Sequence, residues 1–109
     1  MAKYLITASY TAQGTKGVLQ EGGSGRKAAI QKAIQGLGGS LESMYFAYGD
    51  TDVLLIVDMP NAASSLALSL AANASGTVNV KTTPLITVEE IDQACKASVN
   101  YRAAGAAAV

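Results

Sequence analysis

Histidine is missing from this 109-residue chain, and so is tryptophan. The first absence excludes Ser-His-Asp and Cys-His nucleophilic catalysis and every histidine-ligated metal. Proton transfer near neutral pH would need a carboxylate, Lys, Tyr or Cys with a displaced pKa. Cys95 is the single cysteine, so no disulfide can close within the chain. It lies among apolar positions of a helical pattern. The expectation is a small buried hydrophobe, because a reactive thiol needs a nearby cation or helix N-terminus. Charge is scarce as well: 15% of residues are charged, against about 25% in an average domain. Eight basic and eight acidic residues cancel. The longest basic run is Arg26-Lys27, which gives no footprint for nucleic acid or an anionic membrane surface. No apolar run approaches the ~18 residues of a membrane span. The start, Met1-Ala2-Lys3-Tyr4, enters strand pattern without the apolar block of a signal peptide, so the expected location is cytoplasmic.

What the chain does contain is apolar residues, half of the total. Its length suits one domain, expected over residues 1–100, with a flexible tail over 101–109. Lys3 to Thr11 is rich in β-branched and aromatic residues and reads as a first strand. Thr11 to Gly25 is rich in Gly and polar residues and reads as a long loop, with at most a helical turn around Val18 and Leu19. Ser24 is the expected cap of a first helix, whose apolar face is Ala29, Ile30, Ala33, Ile34 and Leu37. Gly38-Gly39 ends it. Ser40 to Tyr48 and Val53 to Met59 form a hairpin around Gly49-Asp50-Thr51-Asp52. Pro60-Asn61 opens a second helix, which stops at Gly76. Thr77 to Thr83 alternates Val78 and Val80 with polar neighbours, as a half-buried fourth strand does. Thr87-Val88-Glu89-Glu90 is a capping box, and Val88, Ile91, Cys95 and Val99 form the apolar stripe of a third helix.

The order is therefore β-α-β-β-α-β with an extra C-terminal helix: an α+β fold on the ferredoxin-like plan. Right-handed crossovers put both connecting helices on one face of the sheet. In the third strand Val53, Leu55 and Val57 point one way, and Leu54 and Ile56 the other. An antiparallel sheet with one wet face would alternate with polar residues instead. A cover is therefore expected on the second face. The favoured cover is the same face of a second copy, a two-fold dimer; the alternative is the third helix folded across it.

A set of short motifs accompanies this plan. Tyr10-Thr11 with Gly14 follows the first strand, and Gly38-Gly39 follows the first helix. An aromatic-rich strand enters Gly49-x-x-Asp52, then come Val57-Asp58-Met59-Pro60, Ser75-Gly76 to Thr82-Thr83, and Thr87-x-x-Glu90. In these motifs, from Lys3 to about Ala97, the chain resembles the GYD domain family. The family's Gly-x-Tyr-Asp has Thr51 in place of its tyrosine here, so no role of that ring is carried over. The resemblance implies a dimeric α+β barrel; it implies no activity.

The residues that could carry chemistry are few. Asp50 and Asp52 could act as a carboxylate pair, but Asp is also a turn residue, and a cation needs about six oxygen ligands that the neighbourhood does not supply. No metal is expected. Asp52 is the stronger ligand-binding candidate because it matches the family motif. Gly22 to Lys27 leads into a helix where backbone N–H groups and Arg26 could hold an anion. Gly23-x-Gly25-x-x-Ala28 imitates a dinucleotide fingerprint, but no strand directly precedes it and no acidic partner fits, so no cofactor is expected. Tyr10, Tyr45, Phe46 and Tyr48 gather on neighbouring strands, as core or dimer packing or as a pocket wall with Lys81, Thr82 and Thr83. The candidate ligand set is Tyr10, Arg26, Tyr48, Asp52, Lys81 and Thr83. The favoured function is a homo-oligomeric module binding a small organic ligand between sheet and helices. The rivals are a cofactor-independent enzyme of the dimeric α+β barrel type, by fold analogy, and a purely structural oligomerisation protein.

Overall fold

A computed structural model describes residues 1–105. The elements are β1 (Ala2–Tyr10), α1 (Ala12–Gly36), β2 (Ser40–Phe46), β3 (Val53–Met59), α2 (Ala62–Ala74), β4 (Val78–Pro84) and α3 (Val88–Lys96). One four-stranded sheet runs in the order β2-β3-β1-β4, with every neighbouring pair antiparallel. Both crossovers, through α1 and α2, lead to a strand two places away. The order βαββαβα is that of the ferredoxin-like plan with a C-terminal helix added.

Strand parity divides the sheet cleanly. Tyr4, Ile6 and Ala8 of β1 and Val53, Leu55, Val57 and Met59 of β3 are buried beneath the helices. Ile34 of α1 completes this core, with Ile30 and Leu68 packed against it from α1 and α2. Truncating fully buried Ile34 to alanine would cost about 2–5 kcal/mol. Seen from the other side, Leu5, Leu54 and Ile56 are only partly buried and Tyr45 is exposed. Lys3 of β1 donates to Asp58 Oδ1 of neighbouring β3 at 3.0 Å and, reaching across β3, to Glu42 Oε1 of β2 at 3.0 Å on that open face. Glu42 reaches it because the β2–β3 register slips between Leu41 and Ser43, leaving Glu42 as the extra residue of a bulge. Those two hydrogen bonds, Glu42 first, hold the Lys3 ammonium above its ordinary 10.5.

Two expectations need correction here. The stretch from Thr11 to Gly25 is not a loop. It is the first half of α1, capped by Thr11, whose side chain accepts from Gly14 N at 3.2 Å. Ser24 lies inside the helix and caps nothing. A break does occur nearby, at Gly22, where φ is +73° and ψ is +173°. That conformation costs an L-residue but not glycine. The first half can exist despite its glycines because Gly14 lets the helix approach Thr77, just before β4: a Cβ there would collide with Thr77 O and come within 2.9 Å of the Tyr10 ring.

Cys95 is the second correction, since it is exposed and not buried. The reason is α3 itself, which buries none of its residues. Its capping box forms as expected, with Glu90 N donating to Thr87 Oγ1 at 3.0 Å and Thr87 N to Glu90 Oε1 at 3.1 Å. Yet Val88 and Ile91 face solvent, as does Val99, which lies beyond the helix end at Lys96 and not on its stripe. The helix therefore leaves the open face of the sheet uncovered. The molecule measures 63 Å along its longest axis, with a radius of gyration of 17.9 Å, where a compact chain of about 100 residues has about 13 Å. Residues 101–105 form no helix or strand; the rest of the expected tail, 106–109, lies outside the described residues.

Candidate functional site

Between α1, α2 and the helix-side face of the sheet lies a cavity of about 220 Å³. Ile6, Ala8, Val53, Leu55, Val78 and Val80 make its floor. These are the helix-side residues of β1, β3 and β4, placed there by strand alternation. Leu68 and Ala72 line it from α2, one turn apart. The α1 wall has two parts. Gln13, Gly17 and Glu21 recur every fourth residue before the break at Gly22, and Arg26 and Ile30 do so after it. Small side chains at Gly14, Gly17 and Ala72 leave room that larger residues would fill.

The charged groups of the lining form one cluster. Arg26 Nη1 donates to Glu21 Oε2 at 3.1 Å, so the ion pair bridges the helix break. Burial pulls the Arg26 pKa down, but the Glu21 carboxylate, with a smaller contribution from Tyr10, outweighs it and holds the guanidinium above its ordinary value. Arg26 is the better sheltered partner, its side chain 31% exposed against 47% for Glu21. Tyr10 closes the corner between β1 and α1, with its ring against Gly14.

Asp52 acts one step behind this cluster. Its Oδ2 accepts from Tyr10 N at 2.8 Å. Its own N–H donates to Ala8 O at 2.9 Å, and its carbonyl accepts from Ala47 N at 2.8 Å. Backbone pairing of β1 with β3 ends at Ala8–Val53, so the carboxylate carries the ladder one bond further and fixes the end of β1. Ser9 Oγ reinforces the junction by donating to Asp50 O at 2.7 Å.

Of the six residues singled out from sequence, Tyr10 and Arg26 meet at the cavity, and Asp52 touches Tyr10 through its backbone. Tyr48 stands on the turn, 99% exposed, and does not line the cavity. Lys81 and Thr83 pair with Thr7 and Leu5 on the open face of the sheet, away from the cavity. Lys81 instead borders a second, more polar depression with Thr7, Ser9, Asp50, Thr51 and Asn79. Glu21, Gln13 and Leu68 are the lining residues that sequence reasoning missed. The four-residue spacing of Gln13, Gly17 and Glu21 was a signal for a helical face, but it carries no apolar residue and so escapes a search for hydrophobic periodicity.

Among the described residues, no three Cys, Asp or Glu side chains gather as a metal site would need, and no helix is long and apolar enough to cross a membrane. No curated protein and no solved structure matches the chain. The GYD domain, however, matches residues 4–95, which takes in β2, β3, β4 and all but the first two residues of β1, both sheet-covering helices, the cavity and nearly all of α3. On that extent of agreement, the chain belongs to the GYD domain family.

Proposed function

We propose that this protein is a homo-oligomeric module that binds a small organic molecule in the cavity between its sheet and helices. The cavity carries the reading. It is apolar over floor and walls, with a few polar groups converging at one corner, the usual composition of a small-molecule site. Its volume also sets the ligand's size. A cavity of about 150 Å³ accepts one benzene, so this one takes a single ring or a short alkyl chain with a small substituent.

The oligomer reading rests on the open face. Leu5, Leu54, Ile56 and Tyr45 form an apolar centre there, with Lys3, Glu42, Asp58 and Lys81 around it. A two-fold axis through such a patch would lay apolar centre on apolar centre and let charges of both signs meet at the rim. Sedimentation of wild type and Ile56→Asp tests this part. Wild type is expected as a dimer and the variant as a monomer; a monomeric wild type at micromolar concentration overturns it.

Thermal-shift screening with small aromatic and aliphatic compounds tests the ligand part, using Leu68→Trp to fill the cavity. Stabilisation of wild type and not of the filled variant is expected. Compounds that stabilise both equally bind elsewhere and refute the assignment. Turnover of a bound compound, lost in the filled variant, would replace the binding module with an enzyme.

A further inference from the structure

We propose that the ligand is a small apolar carboxylic acid, bound as its carboxylate to the Arg26 guanidinium in the position that Glu21 Oε2 now occupies. This inference rests on the cavity being a ligand site and specifies what it selects.

The argument starts from an asymmetry in the ion pair. Among the described residues, Arg26 and Glu21 are the only charged side chains lining the cavity. Arg26 is the more sheltered and lines the cavity together with Tyr10. Tyr10 is itself fixed, with its ring on Gly14 and its backbone N–H on Asp52. Glu21 is the wetter member and, among the described residues, has no other hydrogen bond or ion pair than Arg26. It also sits beside the helix break at Gly22, where the backbone leaves helical geometry. An ion pair so open to water holds weakly. The cation is therefore the fixed element, and the carboxylate opposite it is replaceable.

Chemistry selects the replacement. A guanidinium presents a planar fork of donors that fits a carboxylate with two parallel hydrogen bonds. A bound acid would restore the charge balance that Glu21 supplies now. Its hydrocarbon part would lie on Ile6, Leu55 and Val80 and leave water. Glu21 loses little on release because it is already largely hydrated. A cationic ligand would have to reverse these roles, relying on the wetter partner and repelled by the sheltered one. A neutral amide keeps the shape but forfeits the charge-assisted bonds.

Calorimetric titration with matched probes tests this: hexanoate and benzoate against hexanamide, benzamide and hexylamine. The acids are expected to bind at least about tenfold more tightly than their amides, the step that one lost charge-assisted pair gives, and hexylamine more weakly still. Arg26→Gln should erase the acid–amide difference while amide binding persists, showing that the cavity survives the substitution. Glu21→Gln is the sharper variant. It removes the internal competitor and should tighten acid binding several-fold without changing amide binding, whereas a purely structural pair would weaken both. If amides or the amine bind wild type as tightly as the acids, the acid assignment fails and the cavity reading stands. If no probe binds, both fail together.

Discussion

Replacing Asp52 with alanine deletes the acceptor of the Tyr10 N–H, a 2.8 Å hydrogen bond at the point where backbone pairing between β1 and β3 stops. A hydrogen bond to a charged acceptor contributes about 1.5–3 kcal/mol. At about 4 °C per kcal/mol for a domain of this size, the loss corresponds to a fall in Tm of about 6–12 °C. Asp52→Asn keeps an oxygen that can accept from the same N–H without its charge, and should lose about half as much. Equilibrium urea unfolding at one fixed protein concentration gives the stability difference; fixing the concentration removes the mass-action contribution of any oligomer. Amide hydrogen exchange locates it. Protection at Tyr10 should fall sharply, while Ile6 in the middle of the strand should change only by the global loss. Since Tyr10 lines the cavity beside Arg26, ligand-induced stabilisation should shrink with it. A variant within about 0.5 kcal/mol of wild type, its Tyr10 amide still protected, would refute the role assigned to the carboxylate.

Gly14→Ala should be among the most damaging single-methyl additions to this chain, because its Cβ would collide with Thr77 O; a loss above about 3 kcal/mol by urea unfolding is expected. Gly36→Ala, with open space around it in the last turn of α1, is the control and should stabilise by about 0.4–1 kcal/mol. Lys3 supplies a pH test. Its ammonium pKa is raised by folding, so its contribution is complete below about pH 10 and is lost as pH rises through the folded-state value above 10.5. The urea midpoints of wild type and Lys3→Met should therefore differ at pH 8 and converge above pH 11, and a constant gap would contradict the assignment.

Much of the architecture could be read from the chain, and particular residues show why. The bounds of β3, Val53 to Met59, follow from an apolar run with turn residues at either end. Asn61 and Thr87 announce α2 and α3 because capping is local chemistry: Asn61 Oδ1 accepts from Ser64 N at 2.8 Å, three residues on. The first half of α1 escaped because its evidence is not local. Five glycines between Gly14 and Gly25 oppose helix formation by about 1 kcal/mol each, and the contact of Gly14 with Thr77 that favours it spans 63 residues of sequence. The same error hid Glu21 and Gln13 from the candidate site. Lys81 and Thr83 are a different case. Val78 and Val80 already marked the buried parity of β4, and that alternation alone separates Lys81 and Thr83 from any pocket beneath the helices. Cys95 was misplaced because an amphipathic stripe says that a helix wants a neighbour, not that its own chain supplies one.

That last point has a physical sequel for α3. Nine residues are too few to wind stably in water on propensity alone, and this helix draws no support from the core. Its order depends on the Thr87–Glu90 cap and on whatever comes to rest against Val88, Ile91 and Cys95. Burying that stripe against an apolar surface would stabilise the wound form, and leaving it wet would let the helix fray without disturbing the sheet.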